Sequence, residues 1–374
     1  MDFQALTDYL DALPAKGVPG CDLIICRAHE TLYRHFSGER EQGVPMDGTE
    51  NYWLYSATKP ITMTAVMQLV EQGKIHLSDP VSNYLPAYAE LSVRDGKTLR
   101  PARTVMTIEH LMTMQGGLDY NLNRPAIRAC LDKHKESVTM IELAEAFVAD
   151  GLIFDPGTNY NYSLCHDVLA VVIEVVTGLP FAQYVQENIF DPLGICHMTF
   201  DPTPAHLAQL AARYRWNEQE EPVEIDRYGL SFRLAPGHYS GGAGLMGNVE
   251  EYALFTDALA NDGVGKTGKR ILTADSIRDM QKNRLHGVSL EEWYKNMTRK
   301  GYGYGLGVRT LIDRSCSRSP LGEFGWDGAA GAYVMIDPVN QLSVFYDQHV
   351  MECLKSYFVF HPTIRDMIYE ELGL

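Results

Sequence analysis

Strand-forming runs lie at the two ends of this chain and helical runs fill its middle, which confines it to folds whose sheet is assembled from both termini. An amphipathic stripe of Phe3, Leu6, Leu10 and Leu13 predicts an amino-terminal helix ending near Pro14 and Gly17. Residues 22–27 and 31–36 then read as strands. From about residue 80 to residue 235 the character changes. Helical segments are predicted over 107–114, 139–148, 164–177 and 181–189, joined by loops rich in proline and glycine. After Ser240 mixed structure returns, with Asn248 and Glu251 spaced as a capping box for a helix running to about Asn261, where Gly263 stops it. Residues 302–310, 331–336 and 341–347 are β-rich, the last two joined at Asp337-Pro338-Val339-Asn340 as a hairpin. A closing helix over 362–372 mirrors the first. The expectation is an α+β fold: an antiparallel sheet flanked by terminal helices, with an inserted, mostly helical domain. Residues 1–80 with 236–374 would form the sheet domain and residues 81–235 the helical one. A site is expected in the cleft between them.

Composition narrows the function classes. The 374 residues are 45% hydrophobic, enough for one large core or two closely packed domains. With 48 acidic against 32 basic residues, the formal net charge of −16 argues against nucleic-acid and anionic-membrane partners. The first ten residues carry Asp2 and Asp8 where a signal peptide carries lysines, and they lack a continuous apolar stretch, so a cytoplasmic location is expected. No run reaches the roughly 18 apolar residues of a membrane span. The richest, 168–176, is broken by Glu174 and reads as a buried helix. The seven cysteines (Cys21, Cys26, Cys130, Cys165, Cys196, Cys316, Cys353) are scattered and contain no C-x-x-C pair, so reduced core thiols are expected and neither a disulfide framework nor a zinc site. The sequons at Asn161 and Asn296 are then accidents of composition.

The chemistry begins at Ser56-Ala57-Thr58-Lys59. Pro60, Met63, Val66, Met67 and Val70 continue this stretch at helical spacing, so Ser56 and Lys59 face the same way on the first turn. There, unpaired backbone N–H groups point outward and an ammonium lies within reach of a hydroxyl. Asp155-Pro156-Gly157-Thr158 forms a turn that brings Tyr162 to a loop-to-helix junction. Phe324-Gly325-Trp326-Asp327-Gly328-Ala329 is a small-residue strand start whose glycines let a ligand approach backbone N–H groups.

With these residues in order, the chain resembles the serine β-lactamase and penicillin-binding-protein-like superfamily, in particular its class C β-lactamase and esterase branch. The likeness runs over almost the whole chain, through Ser56-Ala57-Thr58-Lys59, the Pro-Gly-Thr turn with Tyr162-Ser163, Ser240-Gly241-Gly242-Ala243-Gly244-Leu245, Tyr302-Gly303-Tyr304-Gly305-Leu306-Gly307 and Gly325-Trp326-Asp327-Gly328. It implies the β-lactamase/transpeptidase-like fold. It implies Ser56 as nucleophile of an acyl-enzyme, Lys59 as proton relay, Tyr162 as general base, and the N–H groups of Ser56 and Ala329 as oxyanion hole. Trp326, Asp327, Gly328, Leu164 and Tyr120 are the candidate substrate-binding residues.

Two departures point to esters. Where many β-lactamases have Tyr-x-Asn, this chain has Tyr162-Ser163-Leu164; where they have Lys-Thr-Gly or His-Thr-Gly, it has Trp326-Asp327-Gly328. A tryptophan cannot hold a substrate carboxylate, and an aspartate would repel one. Both replacements are similar to those of the esterase branch. The expectation is a serine hydrolase, a carboxylesterase or acyltransferase acting on small uncharged esters, with no cofactor and no metal. A β-lactamase or D-amino-acid peptidase is the alternative, and a non-catalytic binding protein on the same fold the second. Gly242-Ala243-Gly244-Leu245-Met246-Gly247 has dinucleotide-site spacing but no preceding apolar strand, so it carries no such reading. His166 is a candidate to line the cleft, and Phe232 and Trp293 are candidate walls. Loops over 121–136 and 287–300 are expected to shape specificity. Oligomeric state is not legible.

Overall fold

The computed structural model describes residues 2–134, 137–229, 232–297 and 299–374. Its centre is an eight-stranded antiparallel sheet drawn from both ends of the chain. The order across the sheet is Tyr302–Tyr304, Arg309–Leu311, Phe324–Gly325, Tyr333–Asp337, Leu342–Gln348, then β1 (Gly20–Arg27), β2 (Glu30–Glu41) and β3 (Val44–Pro45). β1 is central and buried on both faces. Its side chains therefore alternate between two cores: Leu23 and Ile25 pack with the terminal helices, Ile24 and Cys26 with the helices of the opposite layer. One layer is α1 (Gln4–Asp11) and the carboxy-terminal helix His361–Leu372, which contribute Leu6, Leu10, Ile364 and Ile368. The other contains α2 (Lys59–Glu71), the helix Cys165–Thr177 and the helix Val249–Ala260. The fold is α+β, as the strand and helix runs imply.

The hairpin predicted at 337–340 is present and its aspartate does the local work. Asp337 Oδ1 accepts the N–H groups of Val339 (3.0 Å) and Asn340 (3.2 Å), which closes the turn between the two central strands. Asn248 caps its helix as expected, accepting the Glu251 N–H at 2.8 Å, but the box is only half formed. Glu251 turns outward instead and accepts the backbone N–H groups of Cys196, His197 and Met198, an exchange of one local bond for three. Gly263 ends the helix in the left-handed region (φ 79°), and a β-carbon there would lie 2.1 Å from the Leu272 carbonyl oxygen.

Three expectations need correction. The 121–136 and 287–300 stretches are not loops: they carry the helices Pro125–His134 and Val288–Met297. The middle of the chain also contains short strands, Ser92–Asp95 paired with Thr98–Pro101 and Arg213–Trp216 paired with Pro222–Ile225. The helix predicted over 181–189 is α-helical only at Phe181–Val185 and continues as a π-helical turn at Gln186–Phe190. The seven cysteines are all free. Among the described residues no single helix is long and apolar enough to cross a membrane.

Asp347 is buried on the strand Leu342–Gln348 opposite Asp22 of β1, and its Oδ2 has no partner among the described residues. Burial pushes its carboxyl well above the usual carboxylate range, against the bond its Oδ1 accepts from the Gln348 N–H. The folded chain thus holds a proton that the unfolded chain releases near pH ~4, so this group favours folding at acid pH and the benefit is lost as pH rises. Asp347→Asn is expected to raise the melting temperature at pH 8, with the gain shrinking toward pH 4. Thermal melts across that range check it, and a gain independent of pH would contradict the assignment.

Candidate active site

A short 3₁₀ turn, Tyr55–Thr58, runs directly into α2, which places Ser56 on the approach and Lys59 at the first helical residue. Pro60 is tolerated there because its missing N–H would have no helical partner. Tyr55, just before the serine, has φ 47°, a left-handed backbone that a bulky residue adopts only where its surroundings enforce it. The enforcing contacts are visible: the Tyr55 hydroxyl accepts from Arg213 Nη1 at 2.6 Å, and its ring meets Phe232 edge-on at 6.3 Å.

Lys59 is fully buried, and its three ammonium hydrogens are all spoken for. Nζ donates to Ser56 Oγ (3.2 Å), the Tyr120 hydroxyl oxygen (2.9 Å) and the Gly242 carbonyl (2.7 Å). It also lies 4.6 Å from the centre of the Tyr162 ring. From the turn before the helix Cys165–Thr177, the Tyr162 hydroxyl donates to Ser56 Oγ at 2.6 Å. Trp326 Nε1–H in turn donates to the Tyr162 oxygen at 3.2 Å, with the two rings 5.6 Å apart. Ser56, Lys59 and Tyr162 are thus within one hydrogen-bonded cluster, with Tyr120 and Trp326 as its outer members.

The segment carrying Ala329 closes over Ser56. A β-carbon on Gly328 would come 2.6 Å from the Leu54 carbonyl oxygen, so only glycine allows this approach. Among the described residues neither the Ser56 nor the Ala329 N–H has a backbone or side-chain acceptor, and both residues line the cavity. Tyr357 holds the loop from behind, its hydroxyl within 2.8 and 3.0 Å of the Gly328 and Ala329 carbonyl oxygens. The cavity, about 250 Å³, is walled by Tyr162, Trp326, Asp327, Gly328, Met297 and Arg299 among others.

Not every candidate falls there. Trp326, Asp327 and Gly328 line the cavity, but Leu164 does not: it sits in the core, where it begins the buried helix and leaves its backbone N–H to the Asp119 carbonyl. Tyr120 is a lysine partner rather than a wall. Trp293 is fully buried, its Nε1–H bonded to the Tyr302 carbonyl. His166 is buried away from the cavity, held neutral by burial and by the nearby Lys59 charge, with no partner for either ring nitrogen among the described residues. Asp327 does not present a free negative charge to the cavity. Its carboxylate is ion-paired with Arg299 and with Arg309 (3.0 Å), which outweigh the upward push of burial and keep it below its usual range.

Sequence reasoning missed Asp167, Ser240 and Gly242 as a unit. Asp167 Oδ1 accepts from Ser240 Oγ, while its Oδ2 has no hydrogen-bond partner among the described residues. Burial raises its carboxyl, while the Ser240 bond and the Lys59 charge oppose that rise. A β-carbon on Gly242 would lie 2.8 Å from Asp167 Oδ2, 3.0 Å from the Tyr120 hydroxyl and 3.4 Å from Lys59 Nζ. The missing side chain is what lets the Asp167 carboxylate, the Tyr120 hydroxyl and the Lys59 ammonium crowd around one residue, whose carbonyl the lysine takes. The signal available was an aspartate in the first turn of a largely apolar helix, five residues after Tyr162. Among the described residues no group of three or more His, Cys, Asp or Glu side chains is placed to hold a metal ion.

An antiparallel sheet covered by helices is the framework of a serine hydrolase that works through an acyl-enzyme, and the hydrogen-bonded cluster of Ser56, Lys59 and Tyr162 lies beside it. Residues 6–347 match the family described as Beta-lactamase, and the chain belongs to that family. It is 30% identical to esterase EstB of Burkholderia gladioli over 92% of this chain and 90% of that one. It is also 30% identical to protein Rv1367c of Mycobacterium tuberculosis, over 82% of this chain and 79% of that one. Among solved structures, EstCE1, described as a hydrolase with promiscuous acyltransferase activity, superposes with a TM-score of 0.80 at 26% identity, covering 98% of this chain and 97% of its own.

Proposed function

We propose that this protein hydrolyses, or transfers acyl groups from, small uncharged carboxylic esters through an acyl-enzyme on Ser56. The observation that carries the reading is the 2.6 Å contact between the Tyr162 hydroxyl and Ser56 Oγ, with the Lys59 ammonium beside both. Tyr162 donates to Ser56 Oγ in the resting structure, so this hydrogen bond must reverse, with the phenol oxygen as acceptor, before the tyrosine can act as base. Tyr162 then takes the Ser56 proton as Oγ forms a bond to the ester carbonyl carbon. The Ser56 and Ala329 N–H groups receive the developing oxyanion, and loss of one such donor typically costs a hundredfold or more in rate. The carbonyl–oxygen bond to the alcohol breaks, and Tyr162 returns its proton to that oxygen. Water or a second alcohol repeats the sequence on the acyl-enzyme.

Ester rather than β-lactam chemistry is supported by Trp326, which stands where the resemblance would place a cation and instead orients Tyr162. Arg299 supplies a cation to the wall, but it belongs to an ion-paired group in which Asp327 and Glu323 balance Arg299 and Arg309. The EstB and EstCE1 relatives point the same way. The unpaired cysteines support a reducing, cytoplasmic compartment. Turnover of p-nitrophenyl butyrate and nitrocefin tests the preference. A kcat/KM ratio of roughly a hundredfold or more in favour of the ester is expected; comparable values would overturn the ester preference, and cleavage of D-alanyl amides without ester turnover would favour a D-amino-acid peptidase.

A further inference from the structure

The cavity at Ser56 does not end at its inner walls. Met297 and Trp326 continue outward onto Leu354 and Phe358, which line the same cavity yet are 64% and 48% exposed. Val359, beside them, is 47% exposed. Large apolar side chains contiguous with a ligand cavity are surface kept open for an apolar occupant. The backbone beneath them is not loose. Cys353, Ser356 and Phe360 are buried, the Ser356 N–H bonds the Cys353 carbonyl at 3.0 Å, and Ser356 Oγ accepts from Gln348 Nε2 at 2.8 Å. Tyr357, between the two exposed residues, is bonded to the Gly328 and Ala329 carbonyls. The same segment thus holds the loop that carries the Ala329 N–H and presents an apolar lip on its outer side.

Resting on the ester reading above, we propose that Leu354 and Phe358 are specificity residues that cover an aliphatic chain attached to the scissile ester, so that the enzyme favours medium-length chains over acetate or methyl groups. The inner cavity, about 250 Å³, takes the atoms next to the carbonyl, and a chain of six to eight carbons runs on over the lip. No net charge stands in its way, since Asp327 and Glu323 together balance Arg299 and Arg309. Each fully buried methylene is worth roughly a fourfold gain in binding, and three methylenes half covered on an open lip about tenfold.

Methyl octanoate carries the chain on the acyl side and octyl acetate on the alcohol side, with methyl acetate as reference. For the unaltered protein and for Leu354→Ser, Phe358→Ser and the double variant, kcat/KM is followed by titration of the released acid. In the double variant the ratio of one octyl ester to methyl acetate is expected to fall about tenfold, each single variant losing part of it. A fall for methyl octanoate alone places the acyl chain on the lip, and a fall for octyl acetate alone places the alcohol there. Unchanged ratios for both overturn the proposal. Binding of the unreactive ketone 2-decanone to Ser56→Ala, read by tryptophan fluorescence, supplies a measure without turnover. It is expected to weaken about tenfold when the two lip substitutions are added, while 2-butanone does not, and equal binding overturns the proposal. Absence of ester turnover by the unaltered protein would defeat the ester reading, and the ketone measurement then decides the lip by itself.

Discussion

Ser56→Ala is expected to lose ester turnover by roughly 10⁴-fold or more while the protein stays folded, because removing the nucleophile of an acyl-enzyme leaves only binding and oxyanion stabilisation. The structure explains why the fold survives. Ser56 Oγ accepts from Tyr162 and Lys59, but the ammonium keeps the Gly242 carbonyl and the Tyr120 oxygen, and the Tyr162 oxygen keeps the Trp326 N–H. No buried charge is orphaned. The measurement is p-nitrophenyl butyrate turnover beside the melting temperature, with labelling by a fluorophosphonate as a second readout. Labelling that persists in Ser56→Ala would place the nucleophile elsewhere. A parent protein that neither labels nor turns over esters would leave the non-catalytic binding reading in possession.

Tyr162→Phe is the second large effect. It removes the oxygen 2.6 Å from the serine while keeping the ring that lies tilted between Tyr120 and Trp326 at 5.3 and 5.6 Å. Loss of a positioned general base typically costs 10²–10⁴-fold, and that range is expected in kcat, with KM little changed because the ring's apolar surface remains. Trp326→Phe tests the outer link. It deletes the Nε1–H that orients the phenol and is expected to lower kcat about tenfold, the size of one hydrogen bond to a charged group. If Tyr162→Phe retained most of the turnover, the proton would have to leave Ser56 by another route. Lys59 is then the candidate within reach, since its Nζ is 3.2 Å from the serine oxygen.

Local pattern carried much of this molecule. The helical spacing after Ser56 predicts the pairing of Ser56 with Lys59, and helix geometry alone puts them on one side. The short apolar run Leu23-Ile24-Ile25-Cys26 marks β1, and the Asp337 turn marks the hairpin beside it, because strand and turn signals act over a few residues. That Tyr162 and Ala329 belong with Ser56 came from likeness of motif, not from spacing, since nothing local links residues 106 or more apart.

Where the reading failed, the deciding contacts were distant in sequence. Leu164 looked like part of a motif facing substrate, yet its place at the start of a buried helix sends the side chain into the core. Asp327 looked like an exposed charge until Arg299 and Arg309 came against it from the neighbouring chain segments. Asp167 had no reading from sequence, and only the crossing of residues 240–242 gives it Ser240 and sets it beside Lys59. The sequence by itself determined which stretches become strand or helix and which hydroxyl has an ammonium one turn away, because those follow from backbone periodicity. Tertiary structure decided which charges are cancelled and which apolar side chains stay uncovered at the mouth of the cavity. Coulomb energy and buried area depend on what lies within a few ångströms, and no distance along the chain fixes that.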